Sequence, residues 1–156
     1  MSFRKNLALL ATTLLLSLNS YAEGEIAIEN AWVRTAPPAA KVLAAYMEIS
    51  NHSNQPQTLV TASSPQFNTV ELHQTQMHNG MMHMKAVPNI SIAKHETLHI
   101  KPGGYHFMLI GPKARVHRGD KITLKLNFSG SETIMVEAEV KDSTDNTHSN
   151  HGAHHH

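Results

Sequence analysis

The sequence predicts an all-β fold, an antiparallel sandwich or barrel. Its strand-like segments are short, follow one another at regular intervals and are separated by Gly, Pro and Asn. No helix-length amphipathic segment interrupts them after the N-terminal region. Regularly spaced short strands with turn residues between them are typical of sandwiches and barrels.

Each predicted strand is a run rich in β-branched and other apolar residues that ends at turn residues. In chain order the predicted strands are IAIENAWVR, VLAAYMEIS, QTLVTAS, TVELHQTQ, MMHMKAV, TLHIK, YHFMLIG, KITLKLNF and TIMVEAEV. Asn79-Gly80 lies between the fourth and fifth segments and is a strong signal for a two-residue hairpin loop. We therefore expect one domain over residues 23–142.

The first 22 residues read as an export signal. Arg4 and Lys5 precede an apolar run from Leu7 to Leu18, and small residues stand before a cleavage point after Ala22. The apolar run is shorter than the roughly 20 residues that span a bilayer, which argues against a transmembrane anchor. No Cys follows the cleavage point, so no lipid anchor of the bacterial lipoprotein kind is expected. Together with the short apolar run, this predicts no stable membrane anchor.

The composition narrows the function classes. The net charge is +1 with His neutral and only 16% of residues are charged, so no nucleic-acid partner is expected. The chain has no Cys, whereas it has 13 His and 8 Met. Soft-metal chemistry in this chain would therefore use imidazole and thioether donors.

One motif resembles a zinc-protease signature, His95-Glu-Thr-Leu-His99. That signature requires a helix, which brings its two His one turn apart. Here Leu98 and Ile100 alternate with polar residues as in a strand, where His95 and His99 would lie about 13 Å apart. We expect no zinc site in this segment.

A second pattern, His106-x-Met108, suits a strand. Residues i and i+2 of a strand point to one face, so His106 and Met108 share a face opposite Phe107. A loop at Asn79-Gly80 pairs Thr75 with Met84, which places His73 diagonally next to Met84 on one face.

Two His and two Met converging from three strands would form a neutral, soft donor set suited to Cu(I) rather than to calcium or magnesium. The alternative is that Met84 and Met108 fill a core and that the His are ordinary surface residues. For any single residue of this kind, that alternative is the more common outcome.

The spacing of these residues resembles the periplasmic PCu(A)C copper-chaperone family. His73 is followed after ten residues by Met84, then after twenty-one by His106, then after one by Met108. The likeness extends over most of the mature domain and includes these segments: Asn30-Ala-Trp32-Val-Arg34, Ala45-Tyr46 through Asn51, Val70-Glu-Leu-His73, and Pro102-Gly-Gly-Tyr-His106-Phe-Met108-Leu.

The resemblance implies a cupredoxin-like Greek-key β-sandwich or barrel that binds one Cu(I) through His73, Met84, His106 and Met108. It also implies a periplasmic location in a Gram-negative bacterium. The implied role is copper delivery to the Cu(A) centre in subunit II of cytochrome c oxidase, together with a Sco-type protein. Trp32 and Arg34 are read as a core aromatic and a surface residue, without a direct part in copper binding.

This chain carries additional donors beyond that pattern. Five lie on or beside the predicted hairpin, and Met82 shares strand parity with Met84, so a substitute ligand or a second site stays open; the five are Met77, His78, Met81, Met82 and His83. Residues 143–156 are predicted to be disordered without a ligand and to offer a Cu(II) site of five imidazoles, from His148, His151, His154, His155 and His156. A terminal His cluster can also come from a purification tag, but the irregular spacing favours a native tail.

The leading functional hypothesis is a copper-binding and transfer protein rather than an enzyme. The absence of Cys excludes a blue-copper or Cu(A) centre in the chain itself. Two alternatives stay open. One is a periplasmic copper buffer for tolerance, and the other is a copper oxidoreductase, which two thioethers disfavour because they destabilise Cu(II).

Overall fold

The structure is a computed structural model that describes residues 25–130 and 133–143. The proposed export signal and the five His of the tail lie outside these residues. Within them the strands are β1 (Ile26–Arg34), β2 (Val42–Asn51), β3 (Gln57–Ser63), β4 (Phe67–His78), β5 (Met81–Ala86), β6 (Ile90–Ile92), β7 (Thr97–Ile100), β8 (Tyr105–Pro112), β9 (Lys121–Phe128) and β10 (Ile134–Lys141).

The strands pair into a closed barrel. The order along the sheet is β4-β8-β7-β2-β1-β10-β9-β3, and the pairing of Ala62 with Val70 joins β3 back to β4. Strands β5 and β6 extend the sheet outside this ring. Most pairings are antiparallel, but β1 with β10 and β7 with β8 are parallel. The predicted all-β, cupredoxin-like fold class is confirmed.

All nine predicted strands are present, with ends that differ by at most two residues. The strand that the sequence did not reveal is β6, which has three residues and pairs with β3. A segment this short does not complete two periods of the alternation by which strands are recognised. Among the described residues no helix is long and apolar enough to cross a membrane.

The barrel interior is filled by alternate residues of the strands. Phe107 and Leu109 of β8, with Leu124 and Leu126 of β9, are fully buried. Their neighbours in sequence point to the outer surface, because side chains alternate along a strand. His106 and Met108 therefore lie on the outer face of the barrel wall, directly over the core.

Strand β4 is long enough to leave the barrel. Its pairing with β8 ends where Gln74 meets Tyr105, whereas its pairing with β5 continues to His78 and Met81. Asn79 and Gly80 have φ of 51° and 76°, the pair of positive angles that a type I′ hairpin turn requires. The β4–β5 hairpin thus projects past the rim, and its residues from Gln76 to Met84 are exposed.

Candidate metal centre

The two predicted His ligands face each other across two neighbouring strands. His73 of β4 pairs directly with His106 of β8, and their ring centroids lie 6.0 Å apart. An imidazole nitrogen binds a metal ion at about 2 Å, so two rings on one ion have centres about 5 to 6 Å apart. The spacing therefore suits a single ion held between the two rings.

The two predicted Met ligands lie on the same face, on either side of the His pair. Met108 is two residues from His106 and opposite Glu71. Met84 is opposite Thr75, which is two residues from His73. The hairpin register expected from Asn79-Gly80 is thus observed. We call His73, Met84, His106 and Met108 the donor face.

Each imidazole of the donor face has one nitrogen engaged by an oxygen acceptor. His73 Nε2 lies 2.8 Å from Glu71 Oε2, and His106 Nδ1 lies 3.3 Å from the Gly104 carbonyl oxygen. Because a carboxylate and a carbonyl only accept, each of these nitrogens carries the proton and donates it. In a neutral imidazole the other ring nitrogen carries a lone pair, which is the form that binds a metal.

The lone-pair nitrogen of His73 has no partner within the described protein. His73 Nδ1 is buried and makes no hydrogen bond. A buried polar atom without a partner costs about 1–3 kcal/mol, so its persistence calls for an explanation. A bound metal ion would give this nitrogen a partner. The buried, unpaired nitrogen therefore supports a metal site at these residues.

The donor face is enclosed on one side and open on the other. His106 is only 9% exposed and the His73 side chain 15%, whereas Met84 is 65% exposed on the projecting hairpin. Imidazole and thioether donors are neutral, and no group of three or more His, Cys, Asp or Glu able to hold a metal occurs among the described residues. Two imidazoles and two thioethers make the donor face a neutral set of donors with soft sulfur atoms.

Aromatic residues lie beside His106 on this outer face. The register that pairs Ala45 with Phe107 places Tyr46 next to His106 in the sheet. The rings of Tyr46 and Trp32 are 4.7 Å apart, and the Arg34 guanidinium lies over both, 5.4 Å and 5.9 Å from their centroids. Burial raises the pKa of the Tyr46 hydroxyl, and the Arg34 charge opposes this rise.

Trp32 is buried, as expected of a core aromatic, but it lies outside the main cluster of residues that fills the barrel. It lies on the outer face beneath the cations of Arg34 and Lys141. A bulge, with positive φ at Asn30, shifts the register between Glu29 and Trp32. A shift of this kind cannot be located from residue alternation alone.

The zinc-protease motif does not lie on a helix. His95 lies in a turn before β7 with φ of 59°, and its Nε2 is 3.2 Å from Asn54 Oδ1. His99 lies on β7, 3.3 Å from a carboxylate oxygen of Glu48. The two rings thus have different partners, and only His99 lies on the strand.

Sequence reasoning gave no role to Glu71 and Gly104, which orient the two imidazoles. The i, i+2 spacing of Glu71 and His73 on a strand is a signal for such a contact, because both side chains point to one face. The Gly104 carbonyl offers no signal in the sequence, since a backbone oxygen is available at every residue.

The fold and the donor face together define a class of protein, a cupredoxin-like β-barrel with a surface-facing cluster of His and Met. Residues 26–140 match the family model described as putative lipoprotein LpqE-like. The chain belongs to this LpqE-like family, a PCu(A)C-type family, and the resemblance to PCu(A)C proteins is confirmed.

Two relatives and two solved structures illustrate the likeness. Putative lipoprotein Lxx21020 of Leifsonia xyli is 35% identical over 75% of this chain and 70% of its own length. The uncharacterized protein RP573 of Rickettsia prowazekii is 30% identical over 62% of this chain, which spans about half (54%) of that relative.

Among solved structures, the solution structure of CuI-DR1885 from Deinococcus radiodurans superposes with a TM-score of 0.62. It is 32% identical over 81% of this chain and 84% of its own. The copper-bound PCuAC domain from PmoF2 has a TM-score of 0.65 over 78% of this chain and 97% of its own, and at 23% identity it supports the fold alone.

Proposed function

We propose that this protein is an exported copper chaperone that binds one Cu(I) through His73, Met84, His106 and Met108. The observation that carries the proposal is the pair of facing imidazoles, 6.0 Å apart, each with its second nitrogen engaged by an oxygen acceptor. The similar protein DR1885, which is 32% identical, has a solved structure with Cu(I), and this likeness supports the same ion. Copper is here the cargo of the protein.

The open side of the donor face suits transfer rather than permanent storage. Because Met84 is exposed, a partner can approach the ion from the hairpin side and replace thioethers one at a time. The proposed acceptor is the Cu(A) centre in subunit II of cytochrome c oxidase, with a Sco-type protein as a further partner, in the periplasm. The lipoprotein names of the family and of the Leifsonia relative support export.

The test of this role is transfer of copper to a defined acceptor. The Cu(I)-loaded chain is mixed anaerobically with the soluble Cu(A) domain, and the metal on each protein is measured by mass spectrometry. We expect copper to appear on the acceptor faster than from a chelator buffer that holds the same free Cu(I) concentration. Copper that stays on the chain, or moves no faster than from the buffer, would instead indicate a copper buffer.

We propose that Cu(II) binds the tail and not the donor face. Five tail imidazoles suit Cu(II), whereas two thioethers destabilise it. Removal of residues 143–156 is expected to abolish most Cu(II) binding and to leave Cu(I) affinity unchanged, as measured by Cu(II) electron paramagnetic resonance and Cu(I) chelator competition. Stoichiometric, tight Cu(II) on the shortened chain would contradict this division and favour an oxidoreductase.

A further inference from the structure

The two faces of the projecting hairpin carry different sets of metal donors. Side chains alternate along both strands, and the register pairs Met77 with Met82 and His78 with Met81. Met77, Met82 and Met84 therefore share the face of His73. His78, Met81 and His83 lie on the opposite face of the hairpin.

His78 and His83 come together on that opposite face. They are diagonal neighbours across the hairpin, and their ring centroids lie 6.2 Å apart. This separation is almost that of His73 and His106, which is 6.0 Å. Met81 lies directly opposite His78, so its flexible thioether can reach an ion held by the two rings.

From these positions we propose a second Cu(I) site formed by His78, His83 and Met81, separate from the donor face. Neither ring has a hydrogen-bond or ion-pair partner among those found in the described part of the chain, apart from their mutual edge-on contact. Both are exposed, so neither is held in another role. The site is independent of the proposed chaperone function, because it shares no donor with it.

The charges on this face favour a monovalent ion. A groove at this end of the hairpin contains no carboxylate and is lined by Gln76, Met77, His78, His83 and Lys85. The Lys85 ammonium repels a divalent ion about twice as strongly as a monovalent one at equal distance. The donors are neutral and one of them is a soft thioether, which also favours Cu(I) over Zn(II).

The second site is expected to be the weaker one. It has three donors instead of four, and all of them are exposed to water. We expect its affinity for Cu(I) to be at least about tenfold lower than that of the donor face, a difference of about 1.4 kcal/mol.

The test follows the imidazole resonances of the full chain by NMR during anaerobic titration with chelator-buffered Cu(I). We expect His73 and His106 to shift first, and His78 and His83 to shift together at higher free Cu(I). In the His83→Gln variant the His78 shift should be lost. The His99→Gln variant, which changes an exposed His next to Glu48, serves as the matched control and should leave the His78 shift intact.

Failure of this proposal and failure of the proposed function give different results. In the His106→Gln variant, the donor face is impaired but His78 and His83 should still shift together. If the His78 and His83 resonances do not shift up to saturation with Cu(I), the second site is wrong. A His78 shift that persists in the His83→Gln variant would overturn it as well. A response of this pair to Zn(II) at lower concentration than to Cu(I) would overturn the assignment of the ion.

Discussion

Replacement of Met84 or Met108 by Ile is expected to lower Cu(I) affinity by about 100-fold or more, because one of four donors is lost. Folding stability should change by less than about 1.5 kcal/mol, since Ile has a similar volume and suits a strand. Competition with a Cu(I) chelator at fixed pH measures the affinity, and urea unfolding measures the stability.

Met135 provides the matched control. It is 65% exposed, as Met84 is, and lies on β10 opposite Lys125, far along the sheet from the donor face. Met135→Ile should leave Cu(I) affinity unchanged. Met77→Ile and Met81→Ile should leave the Cu(I) affinity of the donor face nearly unchanged. Equal losses of Cu(I) affinity at all these positions would indicate that many Met residues bind copper without forming one defined site.

The Met82→Ile variant tests whether Met82 or Met84 is the ligand from β5. It lies on the same face as Met84, one strand period nearer the hairpin tip. A loss of affinity in Met82→Ile that exceeds the loss in Met84→Ile would mean that the additional donor has replaced the expected ligand.

Asn51→Ala is expected to lower the free energy of unfolding by about 3 kcal/mol or more. Asn51 is 1% exposed, and its Nδ2 lies 2.8 to 3.1 Å from the carbonyl oxygens of Gln55, Ile92 and Ala93. Its Oδ1 accepts from the backbone and hydroxyl of Ser53. Each buried group left without a partner costs about 1–3 kcal/mol, and several lose their partner together. Urea denaturation of the metal-free chain measures the change.

Asn54→Ala is the control for this prediction. Asn54 lies three residues further along the chain, is exposed, and accepts a hydrogen bond from His95. Its loss should cost less than about 0.5 kcal/mol. A similar small cost for Asn51→Ala would mean that water replaces the amide in this loop.

The positions of the strands could be predicted from the sequence, because the alternation of apolar and polar residues and the turn residues are local signals. The register of the β4–β5 hairpin was predictable for the same reason, since Asn79-Gly80 is a two-residue loop and each residue then has one partner. The pairing of Thr75 with Met84 thus followed from a dipeptide. The exposure of that hairpin could not be predicted, because it depends on where β8 begins, at Tyr105.

The donor types, two imidazoles and two thioethers without Cys, were determined by the sequence alone, as was the expectation that His106 and Met108 share a face. Only the tertiary structure decided that His73 stands opposite His106, because β4 and β8 are distant in sequence and their register is set by packing of the barrel core. It also decided the oxygen acceptors of the rings and the outward position of Trp32. The diagonal placement of His78 and His83 across the hairpin follows from the Asn79-Gly80 loop, whereas the 6.2 Å separation of their rings depends on side-chain conformations that only the tertiary structure gives.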